Sequence, residues 1–334
     1  MRKMSWLRIV YIVLSYLLVP LLVGHLYWRS LTAPAYRQRI GERFGFGLPR
    51  QRRPSIWVHA VSVGEVQAAA PLVRALLKRH PGVPLVMTTM TPTGSERVRL
   101  LFGDTVVHSY VPYDLAAPVR WFFDRTRPSL AIIMETELWP NLYHQCGQRR
   151  VPLVLASARI SARSLGRYRR LISLFRETLA NGIVIAAQTP ADAERFRLLG
   201  ANPAQTHVTG NIKFDFELPS DVPHAGRALR KLQAAGRPVW VAASTHENEE
   251  AVLLAAHVLV RQQHPQAMLF LVPRHPERFS EVAGLIEACG LTHVTRSSAA
   301  IADPRTTVFL GDTMGELMTF YAAADVAFVG GSLS

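Results

Sequence analysis

A chain of 334 residues, 49% hydrophobic and 19% charged, has the length for two domains and the apolar content for a sizeable core, which excludes a disordered polypeptide. Its 38 Lys+Arg against 24 Asp+Glu give a net charge of +14, pointing to an anionic partner: nucleic acid, an acidic membrane surface or a phosphorylated substrate. The two cysteines, Cys146 and Cys289, stand far apart without a CxxC or Cys/His pattern, which argues for a reducing compartment and against a zinc site.

The first 30 residues form a predicted membrane anchor. Residues 9–28 are mostly apolar, and about twenty residues at ~1.5 Å each suffice to cross a ~30 Å hydrocarbon core. Pro20 and His25 interrupt the run, while Tyr11, Tyr16, Tyr27 and Trp28 suit an interface, so a tilted span and an in-plane anchor both fit. A cleaved signal peptide is the alternative, since Ala33-Pro34-Ala35 faintly resembles a cleavage site; the run is long for one, and Arg29 follows it directly. Arg2, Lys3 and Arg8 precede the run, whereas Arg29, Arg37, Arg39, Arg43, Arg50, Arg52 and Arg53 follow it. That excess predicts a cytoplasmic globular part.

From Ser55 onward, apolar runs alternate with helical patterns. Strands are predicted at 56–62, 84–89, 106–111, 130–134, 151–156 and 183–188, with a helix at 65–80. Alternation of this kind reads as an α/β fold, a parallel sheet with helices on both faces. The stretch IWVHAVSVGEVQAAAPLVRALLKRHPGVPLVMTT has an echo in VWVAASTHENEEAVLLAAHVLVRQQHPQAMLFLVP. Each runs strand, serine-containing turn, acid-started helix, His-Pro, strand. Between them, residues 219–238 carry Pro219, Pro223, Gly226, Gly236 and Pro238, the composition of a linker. The predicted domains are therefore 31–218 and 239–334, two Rossmann-like halves facing across a cleft, with ligands beyond the carboxyl ends of the strands. The chain closes on VAFVGGSLS, a strand and glycine turn where a doubly wound domain continues into a helix; the second half is expected to be incomplete.

Several loops on that predicted edge carry polar groups. In HAVSVGEV, Glu65 opens a helix with Val66, Ala69, Ala70, Val73, Leu76 and Leu77 on its inner face. A first-turn carboxylate meets the positive end of the helix dipole, worth ~0.3–1 kcal/mol, so Glu65 reads as a helix stabiliser. With Gly64 leaving room for a substrate, the alternative reading is a general base. Glu135 and Glu137, in METELWPN, end another apolar strand and suit either a site or a salt bridge to Arg159. Lys213, in TGNIKFD, is either a counter-charge for an anion or a solvated surface lysine.

The stretch RISARSLGRYRRLISLFR, residues 159–176, holds six arginines and no acid. Leu165, Tyr168, Ile172 and Phe175 share one helical face, and Arg163, Arg167 and Arg170 another. It reads as a basic amphipathic helix for a membrane surface or phosphates, or as the solvated face of a core helix. Further on, Ser244 and Thr245 lead into an acid-rich helix start where backbone N–H groups and hydroxyls suit an anion. The lysine and glycines of a P-loop are missing there. Pro273-Arg274-His275 and Met314-Gly315-Glu316 also follow strands on the same edge.

The stretches YRQRIGERFG, HAVSVGEVQAA, TPTGSERV, METELWPN, SARISARS, VTGNIKFD, ASTHENEE, PRHPERF, GDTMGEL and FVGGSL occur in that order along nearly the whole chain. Together they resemble the bacterial 3-deoxy-D-manno-octulosonic acid (Kdo) transferases of lipid A assembly. The resemblance implies a GT-B fold with an acceptor-binding N-terminal domain and a nucleotide-sugar-binding C-terminal domain, on the cytoplasmic face of the bacterial inner membrane. It implies an inverting transfer of Kdo from CMP-Kdo to lipid A precursor (lipid IVA), with no cofactor and no bound metal. On the matching positions, Glu65 would be the general base, and Glu135 and Lys213 would stabilise the transition state with Glu137 nearby. Pro273, Arg274, His275, Met314, Gly315 and Glu316 would hold CMP, with Ser244 and Thr245 at the same donor end.

Arg159, Arg163, Arg167 and Arg170, with the anchor, would dock the enzyme on its phosphorylated lipid and on an anionic membrane surface. That accounts for the charge without nucleic acid, for which no aromatic–basic interleaving is present. Asn248 departs from the family's usual glycine. The family's GGHN…EP segment after FVGGSL is not present, so the nucleotide pocket is expected to be incomplete. The alternatives are a GT-B transferase for another nucleotide sugar and a non-catalytic lipid- or membrane-binding remnant.

Overall fold

The computed structural model describes residues 6–48, 50–169, 172–179, 182–215 and 218–333. The chain divides into two compact units, Met1–Glu217 and Leu218–Ser334. The first opens with two helices, α1 (Trp6–Leu17) and α2 (Val19–Thr32). Its alternating part follows as β1 (Ser55–His59), α3 (Val63–Arg79), β2 (Leu85–Thr89), α4 (Pro92–Phe102), β3 (Val107–Tyr110) and α5 (Ala116–Thr126). It continues with β4 (Pro128–Met134), α6 (Pro140–Arg149), β5 (Leu153–Ala158), α7 (Ala162–Arg169), α8 (Ile172–Leu179), β6 (Ile183–Ala187), α9 (Pro190–Leu198) and β7 (Thr206–Val208).

These strands form one parallel sheet in the order β3-β2-β1-β4-β5-β6-β7. Side chains alternate across it, as the two-residue period of a strand requires. Trp57 and Ile133 pack with Phe122 and Phe123 on one side, while Val58 and Ile132 pack with Met87 and Val66 on the other. Both faces are covered, which is why each β1 residue is buried and why such strands read as unbroken apolar runs. The expected parallel α/β architecture is borne out, and all six predicted strands of this unit appear. The first stops at His59 rather than Ser62, because the chain turns through Ala60-Val61-Ser62 into α3. β7 escaped prediction: it has three residues, two of them exposed, and no apolar run to mark it.

The second unit comprises α10 (Val222–Gln233), β8 (Val239–Thr245), α11 (Glu249–Gln263), β9 (Met268–Pro273), α12 (Phe279–Ala288), β10 (His293–Thr295), β11 (Val308–Leu310), α13 (Leu317–Ala323) and β12 (Val326–Val329). Its parallel sheet runs β10-β11-β9-β8-β12. Met268, Phe270 and Val272 face a core with Phe309 and Phe320, and Leu269 and Leu271 face Leu253, Leu254 and Ile286.

Much of the segment expected as a linker is helix α10. Pro223 falls in its first turn, where a missing N–H costs nothing. Gly226 is there for contact with α13 rather than for flexibility, since a Cβ would lie 2.5 Å from that of Ala322. Gly330, after β12, is required for a similar reason: a Cβ would meet the Ser244 carbonyl oxygen at 2.1 Å.

The basic stretch departs from a single helix running from Arg159. Arg159, Ile160 and Ser161 form a loop, α7 and α8 follow, and Arg170 lies outside the described residues, as do Arg2 and Lys3. Among the described residues no single helix is long and apolar enough to cross a membrane; α1 and α2 meet that test only as a pair, bent by 43°.

Candidate active site

In the first sheet the strand order reverses between β1 and β4, and the crevice beyond their carboxyl ends is where open α/β sheets bind ligands. Glu65 follows β1 and Glu135 follows β4, so the two acids flank that reversal. A cavity of about 580 Å³ opens there, lined by Glu65, Glu135, Glu137, Arg159, Tyr168 and Arg195 among others.

Glu65 is the third residue of α3, after the cap residue Ser62. It does not cap the helix in the usual way. Its Oε2 accepts from the Val61 N–H at 2.8 Å and its Oε1 from the Ser62 hydroxyl at 3.2 Å, so the side chain is held back over the β1–α3 turn. Burial pushes its pKa up and the charge of Glu135 adds to this, while the two hydrogen bonds and Lys213 pull it down; the net shift is upward. A carboxylate kept less acidic than usual at a cavity wall suits proton abstraction.

Glu135 has φ +54°, a left-handed conformation that costs a non-glycine residue of order 1–3 kcal/mol. Its surroundings hold it there. Its N–H donates to the Ala156 carbonyl at 2.9 Å, Arg159 pairs with Oε2 at 2.9 Å, and Lys213 pairs with Oε1 at 2.9 Å. The salt bridge to Arg159, one of the two alternatives weighed from sequence, is present, and both partners line the cavity. Glu137 receives the Trp139 indole N–H at 2.6 Å. Burial raises its pKa to about 7, against the pull of that hydrogen bond and with help from the charges of Glu65 and Glu135.

Lys213 reaches Glu135 from a short helical turn, Ile212–Phe214, supported by residues that sequence reasoning missed. Ser157, at φ +52° in an irregular end of β5, accepts the Ile212 N–H at 3.3 Å, and Gln188 donates to the Ser157 carbonyl at 3.0 Å. Asp192 and Arg195 clamp the neighbouring loop: the Ile160 N–H donates to Asp192 at 2.9 Å, and Arg195 donates to the Ile160 carbonyl at 3.0 Å. Arg159, expected on the membrane-facing helix, is instead an ion-pair partner in the cavity wall. Arg163 and Arg167 are exposed on α7.

In the second unit, Ser244, Thr245, Pro273, Arg274 and His275 lie where β8 and β9 end, and the His246 and His275 rings meet edge-on at 5.6 Å. Arg274 is exposed, and its backbone N–H donates to the Thr245 carbonyl at 3.0 Å. The Thr245 hydroxyl is not free for a ligand: it donates to Glu250 at 2.9 Å, in a buried ion pair with Arg278 at 2.8 Å. Met314 is exposed beyond β11, Gly315 takes φ +87°, and Glu316 pairs with Arg296 at 2.7 Å. Arg296 holds the Glu316 carboxyl below its usual range.

Residues 38–216 match the family model described as 3-deoxy-D-manno-octulosonic-acid transferase (kdotransferase). A 3-deoxy-D-manno-octulosonic acid transferase of Haemophilus influenzae is 43% identical over 328 residues, spanning 98% of this chain and 77% of the relative. The chain belongs to the Kdo transferase family. A second transferase of that name, from Bordetella pertussis, is 42% identical over 91% of the chain and 71% of its own length. The expected activity, Kdo transfer in lipopolysaccharide synthesis, is thereby borne out. Among solved structures, the UDP-GlcNAc 2-epimerase of Neisseria meningitidis is 12% identical, covers 82% of the chain and 77% of its own, and aligns with a TM-score of 0.53; it shares the fold alone.

Proposed function

We propose that this Kdo transferase takes CMP-Kdo as donor and a lipid A precursor, lipid IVA, as acceptor, and that Glu65 is the general base. The supporting observation is the Glu65–Glu135–Lys213 group at the strand-order reversal, with Glu65 fixed by two hydrogen bonds on the wall of a polar cavity. An acceptor hydroxyl gives its proton to Glu65 as its oxygen bonds to the anomeric carbon of Kdo. The bond from that carbon to the CMP phosphate oxygen breaks, and CMP leaves with the electron pair. One displacement inverts the anomeric centre. Glu135 fixes Lys213, whose ammonium stabilises charge developing in the transition state. Glu137, neutral through much of the range below pH 7, limits repulsion against ionised Glu65.

In this reading the first unit binds the acceptor and the second the nucleotide sugar, as in GT-B transferases. The exposed Arg274 and His275, and the Met314-Gly315-Glu316 loop, are the CMP contacts. Arg163 and Arg167, with the apolar face of α1 and α2, hold the enzyme to the cytoplasmic face of the bacterial inner membrane. Neither a cofactor nor a metal enters the scheme. Incubation with CMP-Kdo and lipid IVA tests it: free CMP and a lipid heavier by one or more Kdo residues are expected, and transfer from a different nucleotide sugar in preference would overturn the donor assignment.

A further inference from the structure

We propose that α1 and α2 form one in-plane lipid-binding element, latched along the acceptor unit, with both ends on the same side of the bilayer. This rests on the membrane-bound reading above and decides between the two kinds of anchor that the sequence allows. A stripe at three- and four-residue spacing faces the protein through both helices. Arg8, Leu26 and Ser30 are buried, and Ile12, Ser15 and Leu22 are half-buried. The opposite side is apolar and open: Trp6, Leu17, Leu21 and Trp28 are each 67–70% exposed. A helix of that kind lies in an interface with its apolar side in lipid.

The start of the pair is tied to the body of the first unit by polar groups, and its end to the turn that follows it. At the start, the Tyr11 hydroxyl donates to Asp114 at 2.8 Å and the Tyr16 hydroxyl accepts the Ala117 N–H at 3.0 Å, while burial lowers the Arg8 pKa against the opposing charges of Glu177 and Asp114. At the other end, Arg37 donates to Ser30 at 2.8 Å and lies over the Tyr27 ring at 4.9 Å, and Arg29 lies over Tyr36 at 4.5 Å. A span would carry one of these polar junctions, with the loop attached to it, across the hydrocarbon core. Charged groups at that depth are costly, and irregular backbone facing lipid finds no hydrogen-bond partners.

Charge complementarity names the occupant. α1 packs on α8, and Tyr168 of α7 meets Phe175 of α8 edge-on at 4.7 Å, so the exposed Arg163, Arg167 and Arg169 of α7 belong to the helices beside the anchor. An apolar face with a basic neighbour fits an anionic leaflet. The same latch reaches the catalytic loop. Asp114 also accepts the Asn141 and Leu142 N–H groups, each at 2.9 Å, at the start of α6, a few residues after Glu137.

The test uses the full chain with a protease-cleavable epitope ahead of Met1, in sealed inverted inner-membrane vesicles and in spheroplasts. The in-plane element predicts epitope loss in the inverted vesicles, where the globular units are also accessible, and protection in spheroplasts. Protection in the inverted vesicles with cleavage in spheroplasts would establish a span and overturn the proposal. Recovery of the chain in the soluble fraction, with the epitope cleaved regardless of vesicle orientation, would instead overturn the membrane reading on which it rests.

Discussion

The acids of the two units sit at equivalent ends of parallel strands, yet their electrostatics run in opposite directions. In the first unit Glu65 and Glu137 are half-buried with few donors, and that desolvation raises both pKa values, that of Glu137 to about 7. In the second unit burial works against Glu249 too, but the N–H groups of Gly331, His246, Leu333 and Ser332 outweigh it and hold its carboxyl at about 2. Glu250 is locked to Arg278, and Glu316 to Arg296. An acid held by several donors, as Glu249 is, gives up its place in a loop less readily than a partly desolvated acid beside a cavity takes up a proton. The basic groups divide in the opposite sense: Arg159 and Lys213 pair with Glu135, while Arg274 and His275 are exposed. On the proposed assignment, proton transfer falls to the sheet edge of the first unit and charge recognition to that of the second.

The contrast breaks most visibly if Arg278 is removed. Arg278→Leu leaves Glu250 buried and unpaired, and denaturant melts should show a loss of about 3–5 kcal/mol in the second unit. No loss would mean that the pair is not structural. Lys213→Met should lower kcat about 10²–10³-fold, the usual scale for a lost electrostatic stabiliser, with little change in melting temperature. It also removes a charge that lowers the Glu65 pKa, so the acidic limb of the pH–rate profile should move to higher pH.

Glu137→Gln sharpens the contrast through stability. The folded protein holds a proton on Glu137 up to about pH 7, while the unfolded chain releases it near 4.5. Folded molecules therefore bind more protons between those values, and stability falls as pH rises through that window. The variant should lose that part of the slope in melts between pH 4.5 and 7; an unchanged slope would mean that Glu137 is ordinarily acidic. The smallest effect is expected from Arg163→Ser with Arg167→Ser. It should weaken binding to anionic vesicles by about 1 kcal/mol per arginine at low salt, fading as salt rises, and leave soluble-substrate turnover unchanged.

Much of this architecture was legible because parallel strands covered on both faces leave continuous apolar runs; SIWVH and LVMTT are examples. Where burial did not write the pattern, the reading failed. β7 is short and half-exposed, and α10 carries Gly226 for helix contact, which looks like a loop signal in a string of letters. Glu65 could be found as an acid opening a helix, but whether it capped that helix depended on the Val61 N–H, which only the turn geometry supplies. Glu135 and Ser157 owe their roles to positive φ, a property that neither a glutamate nor a serine advertises. Gln188, Asp192 and Arg195 act through backbone atoms of a distant loop, a relation with no sequence period.

The most direct measurement is the single-turnover rate of Kdo transfer by Glu65→Gln compared with the parent enzyme, with thermal melts of both. Loss of a general base predicts a rate reduction of about 10²–10⁴-fold, with unchanged donor affinity and a melting temperature equal to or above that of the parent, since a desolvated charge is gone. Transfer by Glu65→Gln within a few-fold of the parent rate would contradict the assignment of the base and, with it, the division of labour between the two sheet edges.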